Sequence, residues 1–377
     1  VRESVTLATN HLGIDPAGGA DVVIPLGNRH PSAHGLIRID VVVEDRIIVS
    51  ADPHIGFMHR GAEKLLEVRD YRQALSLLDR HDWTGGGNGE LALALLLEQV
   101  LGIEVPARAI WLRTQLSELG RLSSHLAFLS TFPTRGLPIP ASVNVARDAV
   151  LALLEAHGGS RLHPALLVVG GLRQDAPPEW TDAVAGATRL VRDALAAATP
   201  VVASAADTLA GVGTITKAEA LAFGASGLVA RASGIDRDLR RDVGYLAYPE
   251  LADKLHVPVH YSGDSAARLQ LLLEQSRVAV DLVDACNHRT PDGPVNVRLP
   301  KVLRAPEGQA WFATETPLGT NGYWLISRGD RVPWRLKIRS ASFAHAGLLS
   351  KVLVGVRIDA VDAVLASMCI VTGDSDR

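Results

Sequence analysis

Apolar and polar positions change rhythm three times along the chain. Ser4 to Ala8 and Asp21 to Pro25 alternate loosely, and Leu36 to Val43 and Arg46 to Ser50 carry a stronger strand pattern, split by the turn-like pair Glu44-Asp45. These stretches predict an N-terminal sheet. From about Gly61 the period becomes helical, with Leu65, Leu66, Tyr71, Leu75 and Leu78 forming one stripe between charged faces. Asn88 to Leu101 is almost wholly apolar and stops at Gly102, and Pro106 suits the first position of a long helix to Leu129. That pair is expected at the buried centre of a bundle. Breaks rich in Pro and Gly set off further helices at Ala141 to His157 and Pro178 to Ala198. Thr216-Lys217-Ala218-Glu219 has capping-box spacing, Arg231 to Gly263 is loop-rich, and Asp264 to Asn287 is a long amphipathic helix. Strand signals return at Ala310 to Glu315, Gly322 to Ser327 and Trp334 to Arg339, before a helix at Asp359 to Met368 and a polar tail from Thr372. The chain reads as α+β, with an N-terminal β region at 1–60, a central helical bundle at 61–300 and a smaller C-terminal β region and tail at 301–377. Neither a repeat nor βαβ alternation is present.

Composition narrows the function. The 377 residues are 47% hydrophobic, enough for a large core, and the formal charge of −3 without a basic stripe gives no nucleic-acid footprint. Cys286 and Cys369 are the two cysteines, so this chain builds neither a disulfide framework nor a cysteine-held metal or iron–sulfur site, and a reducing, cytoplasmic setting is expected. No signal-peptide pattern opens the sequence, and apolar windows such as Leu91 to Leu97 fall short of the ~20 residues of a bilayer crossing. Any work at a membrane would depend on other subunits.

The chemistry concentrates between Asn28 and Glu90, where five of the thirteen histidines lie among Pro and Gly. His30 and His34 are four apart, but Pro31 and Gly35 make the segment a loop rather than a helix face, and no third ligand is near, which argues against a metal. The loop either holds His34 at a cavity wall as a proton or hydrogen-bond donor, or simply pins itself to its neighbours. Asp52 and His54 would tie down backbone where sheet passes to helix. Glu63 complements a helix start, and Arg60 is free to bind an anion or a partner subunit. Gly85-Gly86-Gly87-Asn88-Gly89 lacks the Lys-Ser/Thr of a phosphate loop and reads as a flexible entry to the next helix. His125, in apolar company on its helix, reads as a core histidine linked to an interior polar network.

Taken together, His30-Pro31-Ser32-Ala33-His34-Gly35, Asp52 to Lys64, Leu101 to Pro106 and Ser117 to Leu126 resemble the D-type subunit of bacterial NADH:quinone oxidoreductase, respiratory complex I. The likeness continues through Gly170-Gly171-Leu172, Arg231 to Ile235, Gly322 to Ser327, Lys337 to Phe343 and Gly373 to Arg377, and so covers nearly the whole chain. The resemblance implies the fold of the nickel–iron hydrogenase large subunit without its metal cysteines. It implies a peripheral subunit on the cytoplasmic side of the cell membrane, binding the headgroup of a quinone such as menaquinone. The terminal iron–sulfur-cluster subunit, an adjoining peripheral subunit and the membrane quinone-channel subunit would be its partners. Iron–sulfur clusters and FMN would sit in partner subunits, with none bound by this chain.

Carried over residue by residue, the resemblance makes His34 the quinone's hydrogen-bond partner, with His30 beside it. The family tyrosine falls on Trp83 and the family aspartate on Arg135. It also implies structural or interface roles for Asp52, His54, His59, Arg60, Glu63, Arg121, His125, Asp376 and Arg377. The two departures change the chemistry. An indole N–H donates but cannot give up its proton as a phenol can, and a guanidinium near His34 would lower its pKa where a carboxylate would raise it. A divergent second copy follows, either reducing quinone by an altered route, fed by NADH or ferredoxin, or kept as a scaffold of a complex-I-like assembly.

Overall fold

The computed structural model describes residues 2–9, 22–23, 30–134 and 136–377, and the side chains of Val22, Val23 and His34 lie outside the description. Strands β1 (Arg2–Ala8), β2 (Val22–Val23), β3 (Arg38–Glu44) and β4 (Ile47–His54) form a sheet in the order β2-β1-β3-β4. In β3, Ile39, Val41 and Val43 are buried and alternate with partly exposed neighbours, the pleat of a half-buried strand. The hairpin to β4 turns on Asp45 and Arg46, both at positive φ (48° and 69°), the backbone a two-residue turn requires. Asp52-Pro53-His54 closes this edge strand, and Ile55 to Gly61 leads on to the first helix. Pro53 is tolerated because an edge strand leaves one row of N–H groups unpaired.

Helices α1 (Ala62–Leu66) and α2 (Tyr71–Leu78) follow, then α3 (Asn88–Leu101), which stops at Gly102 with φ 62°. Next come α4 (Ala107–Ser130), directly after Pro106, and α5 (Ser142–Gly158). The short strands β5 (Leu167–Val168) and β6 (Gly171–Leu172) precede α6 (Trp180–Leu209). This helix runs past its expected end through Pro200, because packing against α5 and α10 outweighs one lost hydrogen bond. After α7 (Lys217–Ala222), with its Thr216–Glu219 capping box, come α8 (Gly227–Ala232), α9 (Leu239–Asp242) and α10 (Ser265–Arg289). Strands β7 (Gly308–Glu315), β8 (Thr320–Ser327) and β9 (Arg335–Arg339) form an antiparallel sheet. Helices α11 (Ala341–Val352), α12 (Val361–Ser367) and α13 (Thr372–Ser375) complete the α+β fold.

The bundle is α4, α5, α6 and α10, with α10 against α4 and α6, and α5 against the same two. Helix α3 is not its centre. Being apolar on nearly every side, it packs against α2, β7 and β8 in a second core with Leu66, Tyr71, Leu325 and Ile338. The pair Arg113–Glu98, at 2.7 Å and fully buried, ties α3 to α4. Helix α11 escaped the sequence pattern because it is covered by β4 and α13 and so shows no clean polar stripe. Among the described residues, no helix is long and apolar enough to cross a membrane.

The polar tail folds into the molecule. Thr372, Asp374, Ser375 and Asp376 are buried, and the Asp376 carboxylate accepts the backbone N–H groups of Gly56 and Met58, each at 2.9 Å. Its backbone carbonyl also meets His59 Nδ1 at 2.8 Å.

Candidate functional site

Pro31–His34 forms one 3-10 turn, with Pro31 at its first position and His30 as its cap: the Ser32 N–H donates to His30 Nδ1 at 3.1 Å. The imidazole is buried edge-on against Phe128, at 5.8 Å between ring centres. Ser32 Oγ donates to the Ile370 carbonyl, and Gly35 allows the tail to close in, since a Cβ there would stand 2.0 Å from Thr372 Oγ1. His30 therefore lies beneath the turn, which its ring pins, while Pro31 reaches the cavity described below. The side chain of His34 and the whole of Arg135 lie outside the described residues.

Beyond α2, two aspartates shape the backbone. Asp79 Oδ1 accepts the Gly87 N–H at 2.8 Å, and Asp82 Oδ1 accepts from Thr84 N–H (3.0 Å), Thr84 Oγ1 (2.6 Å) and Gly85 N–H (3.2 Å). Residues 84–89 are buried, so the glycine-rich stretch is a rigid seat and not a flexible entry loop. Its glycines let α4 approach: a Cβ on Gly120 would meet Asn88 Nδ2 at 2.7 Å and the Gly86 carbonyl at 2.8 Å. Burial, reinforced by Asp374, pushes the Asp82 carboxyl up to about 6. Between these anchors Trp83 lays its six-membered ring on the bare Cα of Gly373, where a Cβ would stand 2.3 Å from Cζ3.

Trp83 and Pro31 face a cavity of about 480 Å³. Ala127 and Ser130 from the end of α4, Asn144 and Arg147 from α5, and Thr84, Leu162 and His163 complete its wall. Arg147 Nε donates to the Ser123 carbonyl at 3.1 Å, and His163 Nδ1 bonds Asp79 Oδ2 at 3.0 Å. Apolar walls with hydroxyl, amide, guanidinium and imidazole groups converging suit a flat ligand with oxygen acceptors. The sequence pointed to Trp83 but missed Asn144, Arg147 and His163. Asn144 and Arg147 are three apart on one helix, a spacing that puts both on one face.

The remaining residues named from sequence make contacts within the chain. His54 Nε2 lies 3.0 Å from Asp40 and 3.6 Å from Asp52, so this imidazole meets carboxylates rather than backbone. Arg60 donates to the Arg80 carbonyl at 3.3 Å. Glu63 collects Arg335, Lys337, the Ile338 N–H and, at 3.7 Å, Arg377, whose guanidinium covers the Phe343 ring. Arg121 donates to the Glu315 and Thr316 carbonyls and pairs with Glu118. His125 is buried with Nε2 at 3.2 Å from the Pro317 carbonyl.

The family described as respiratory-chain NADH dehydrogenase, 49 Kd subunit, matches residues 141–305 and 300–377. The second D-type subunit of the NADH-quinone oxidoreductase of Salinispora tropica is 45% identical over 368 residues, covering 95% of this chain and 94% of its own length. The chain belongs to this family. The first D-type subunit of Streptomyces coelicolor is 44% identical over 369 residues, 96% of each chain, and that of Geobacillus thermodenitrificans is 34% identical over 362, covering 94% of this chain and 98% of its own. As a D-type subunit, the protein is one part of an oxidoreductase complex. Among its described residues no group of three His, Cys, Asp or Glu side chains could hold a metal.

Buried histidines give this subunit an acid limit. Burial pushes His30 and His81 down to about 4 and His345 to about 3, and holds His125 well below 6.5. Each stays neutral in the fold but takes a proton when unfolded, so its contribution is complete above about 6.5 and is lost as pH falls toward 4. Asp82, Asp374 and Glu90 have the opposite sign: burial raises all three, so their contribution is complete below about 4 and is lost as pH rises, for Asp82 through about 6. The four histidines outweigh the three carboxyls between pH 5 and 7. The thermal midpoint is expected to fall from pH 7 to pH 5, and a rise over that interval would contradict the assignment.

Proposed function

We propose that this chain is the peripheral-arm subunit that seats the quinone headgroup, beside the terminal iron–sulfur subunit of a proton-translocating NADH:quinone oxidoreductase. The cavity between Trp83, Ser130, Asn144 and Arg147 carries the reading. Its aromatic and aliphatic walls accept a flat ring, and its donors can meet the carbonyl oxygens that gain negative charge during reduction. His34, on the turn whose first residue Pro31 lines the cavity, is the proposed proton or hydrogen-bond donor. The redox centres belong to partner subunits, and the membrane quinone-channel subunit brings the substrate. The glutamate, arginine and aspartate contacts around Arg60, Glu63 and Arg377 frame the edge where such partners would sit.

Trp83 favours a second reading. An indole can bound the site and donate one hydrogen bond, but it cannot supply a proton. A copy retained for assembly, or fed by ferredoxin, would tolerate that loss. Quinone reductase activity of the assembled membrane complex separates the two. With a working site, the native complex turns over and His34→Ala lowers the rate on the order of a hundredfold. If the native complex is inactive and Trp83→Tyr, alone or with Arg135→Asp, restores turnover, the subunit is a scaffold.

A further inference from the structure

The outer face of the sheet β7-β8-β9 carries tryptophan where water-facing strands normally carry polar side chains. Register puts Trp311, Trp324 and Lys337 in one row across the three strands, with Gln309, Ile326 and Arg335 on one side and Ala313, Gly322 and Arg339 on the other. Trp311 is 49% exposed and Trp324 is 42% exposed, while Phe312, Tyr323 and Ile338 on the opposite face pack into the second core. A third exposed tryptophan, Trp334, stands just before β9 and is covered by the Arg328 guanidinium, 3.1 Å from its ring centre. The central pair stays open to solvent.

One end of this face opens into a pocket. Gly322 lets the Trp311 ring lean along the sheet, since a Cβ there would stand 2.4 Å from Cη2, and the ring becomes part of the wall of a cavity of about 320 Å³. Leu221 and Ile235 add apolar wall, and Arg237 and Arg339 add charge. Arg339 donates to the Gly224 carbonyl at 2.7 Å, to Ser226 Oγ at 3.0 Å and to the Thr320 carbonyl, which fix it without neutralising it. Arg237 is exposed, and neither guanidinium forms an ion pair among the described residues. The carboxylate in the same wall, Glu315, is committed to Arg231 at 2.8 Å and to the Leu239 N–H. At the far edge of the face, by contrast, Glu63 and Glu67 neutralise Arg335 and Lys337. Unpaired positive charge is therefore concentrated at the pocket end.

We propose that this face docks an acidic segment of a neighbouring protein chain in the oxidoreductase complex. An Asp or Glu of that segment places its carboxylate between Arg237 and Arg339, and an apolar side chain two residues along lies on Trp311 and Trp324. Alternate side chains of an extended chain stand ~7 Å apart, which is also the spacing of neighbouring rows on the sheet. Tryptophan and arginine dominate the centres of protein interfaces, where water is excluded and opposite charges pair strongly. A membrane fits this face less well. Glu63 and Glu67 border it and would repel anionic headgroups, and Trp311 lies across Gly322 instead of projecting from a loop. The proposal needs the chain's place in a complex but not the quinone reading of the other cavity.

Hydroxyl-radical oxidation of Trp311 and Trp324, read by peptide mass, tests it in the purified subunit and in the assembled complex in detergent. Docking predicts that both indoles oxidise on the order of tenfold more slowly in the complex than in the subunit. Equal rates would overturn the proposal. Arg237→Glu then tests the chemistry of the occupant. Facing an acid, it should return both indoles to the rate of the free subunit, or prevent assembly while the variant subunit melts like the native one. Full protection in an assembled Arg237→Glu complex would overturn the acidic partner. If that variant subunit melts low, Arg237→Gln takes its place with the same outcomes. The subunit alone distinguishes the other occupants: protection on concentrating it gives the face to a second copy, and protection on adding phosphatidylglycerol vesicles gives it to a membrane. Either result overturns the proposal, and unchanged oxidation in both supports it.

Discussion

Glu118→Ala is expected to destabilise the subunit by about 3–5 kcal/mol, the usual result of breaking one side of a buried ion cluster. Glu118 is fully buried and accepts from Arg121, Arg240 and the Tyr248 hydroxyl, the last at 2.6 Å. Arg240 also binds Asp238, and Arg231 joins Asp238 to Glu315, so three carboxylates face three guanidiniums in the interior. Burial alone would raise the Glu118 carboxyl, yet Arg121 and Arg240 hold it below the usual range, so the group remains charged. Removing it leaves a net positive charge where water cannot enter. Thermal unfolding of the purified subunit would show the loss, against Arg192→Ala as a surface control. Arg192 pairs with Asp281 and Asp284 at 2.6 Å but is half exposed, and its loss should cost less than about 1 kcal/mol. Equal effects from the two variants would mean that the interior cluster is no more costly to break than a surface pair.

The second large effect is expected at Gly373→Ala. The added methyl would stand 2.3 Å from Trp83 Cζ3 and 2.7 Å from the His81 carbonyl oxygen, and a backbone atom cannot yield as a flexible side chain does. Trp83 must then tilt into the cavity or α13 must lift away from it. Overpacking of this kind costs about 1–3 kcal/mol. Spent on ligand binding, that corresponds to roughly a ten- to hundredfold rise in KM for quinone. Gly186→Ala is the control, because no atom lies within 4 Å of a Cβ on that α6 glycine and alanine favours the helix. Kinetics of Gly373→Ala equal to those of the control would show that Trp83 does not shape the ligand site.

Both predictions concern residues whose importance local pattern conceals. Gly373 stands in a six-residue polar stretch that reads as a solvent-facing tail, yet the backbone N–H groups of Gly56 and Met58 draw Asp376 inward and bring Gly373 under Trp83. Arg231 to Gly263 reads as a loop because its elements are only a turn or two long. Even so, it supplies Arg231, Asp238 and Arg240 to the interior charge cluster. Such segments are held by ion pairs across the fold and not by periodicity.

By itself, the sequence determined the elements whose cause is local. Period-two alternation marks β3, runs rich in strand-forming residues mark β7–β9, the glycine stop ends α3 at Gly102, and the capping box starts α7, because each signal is complete within a short stretch of chain. It also marked the family through motifs spread along nearly its whole length, and it singled out Trp83 as a departure. Tertiary structure alone formed the cavity of the candidate site. Pro31, Trp83, Ser130, Arg147 and His163 come from five separate segments, and Gly373 from a sixth supports them from behind. A cavity is space left when distant surfaces fail to meet, and the pattern of neighbours along the chain carries no record of that distance.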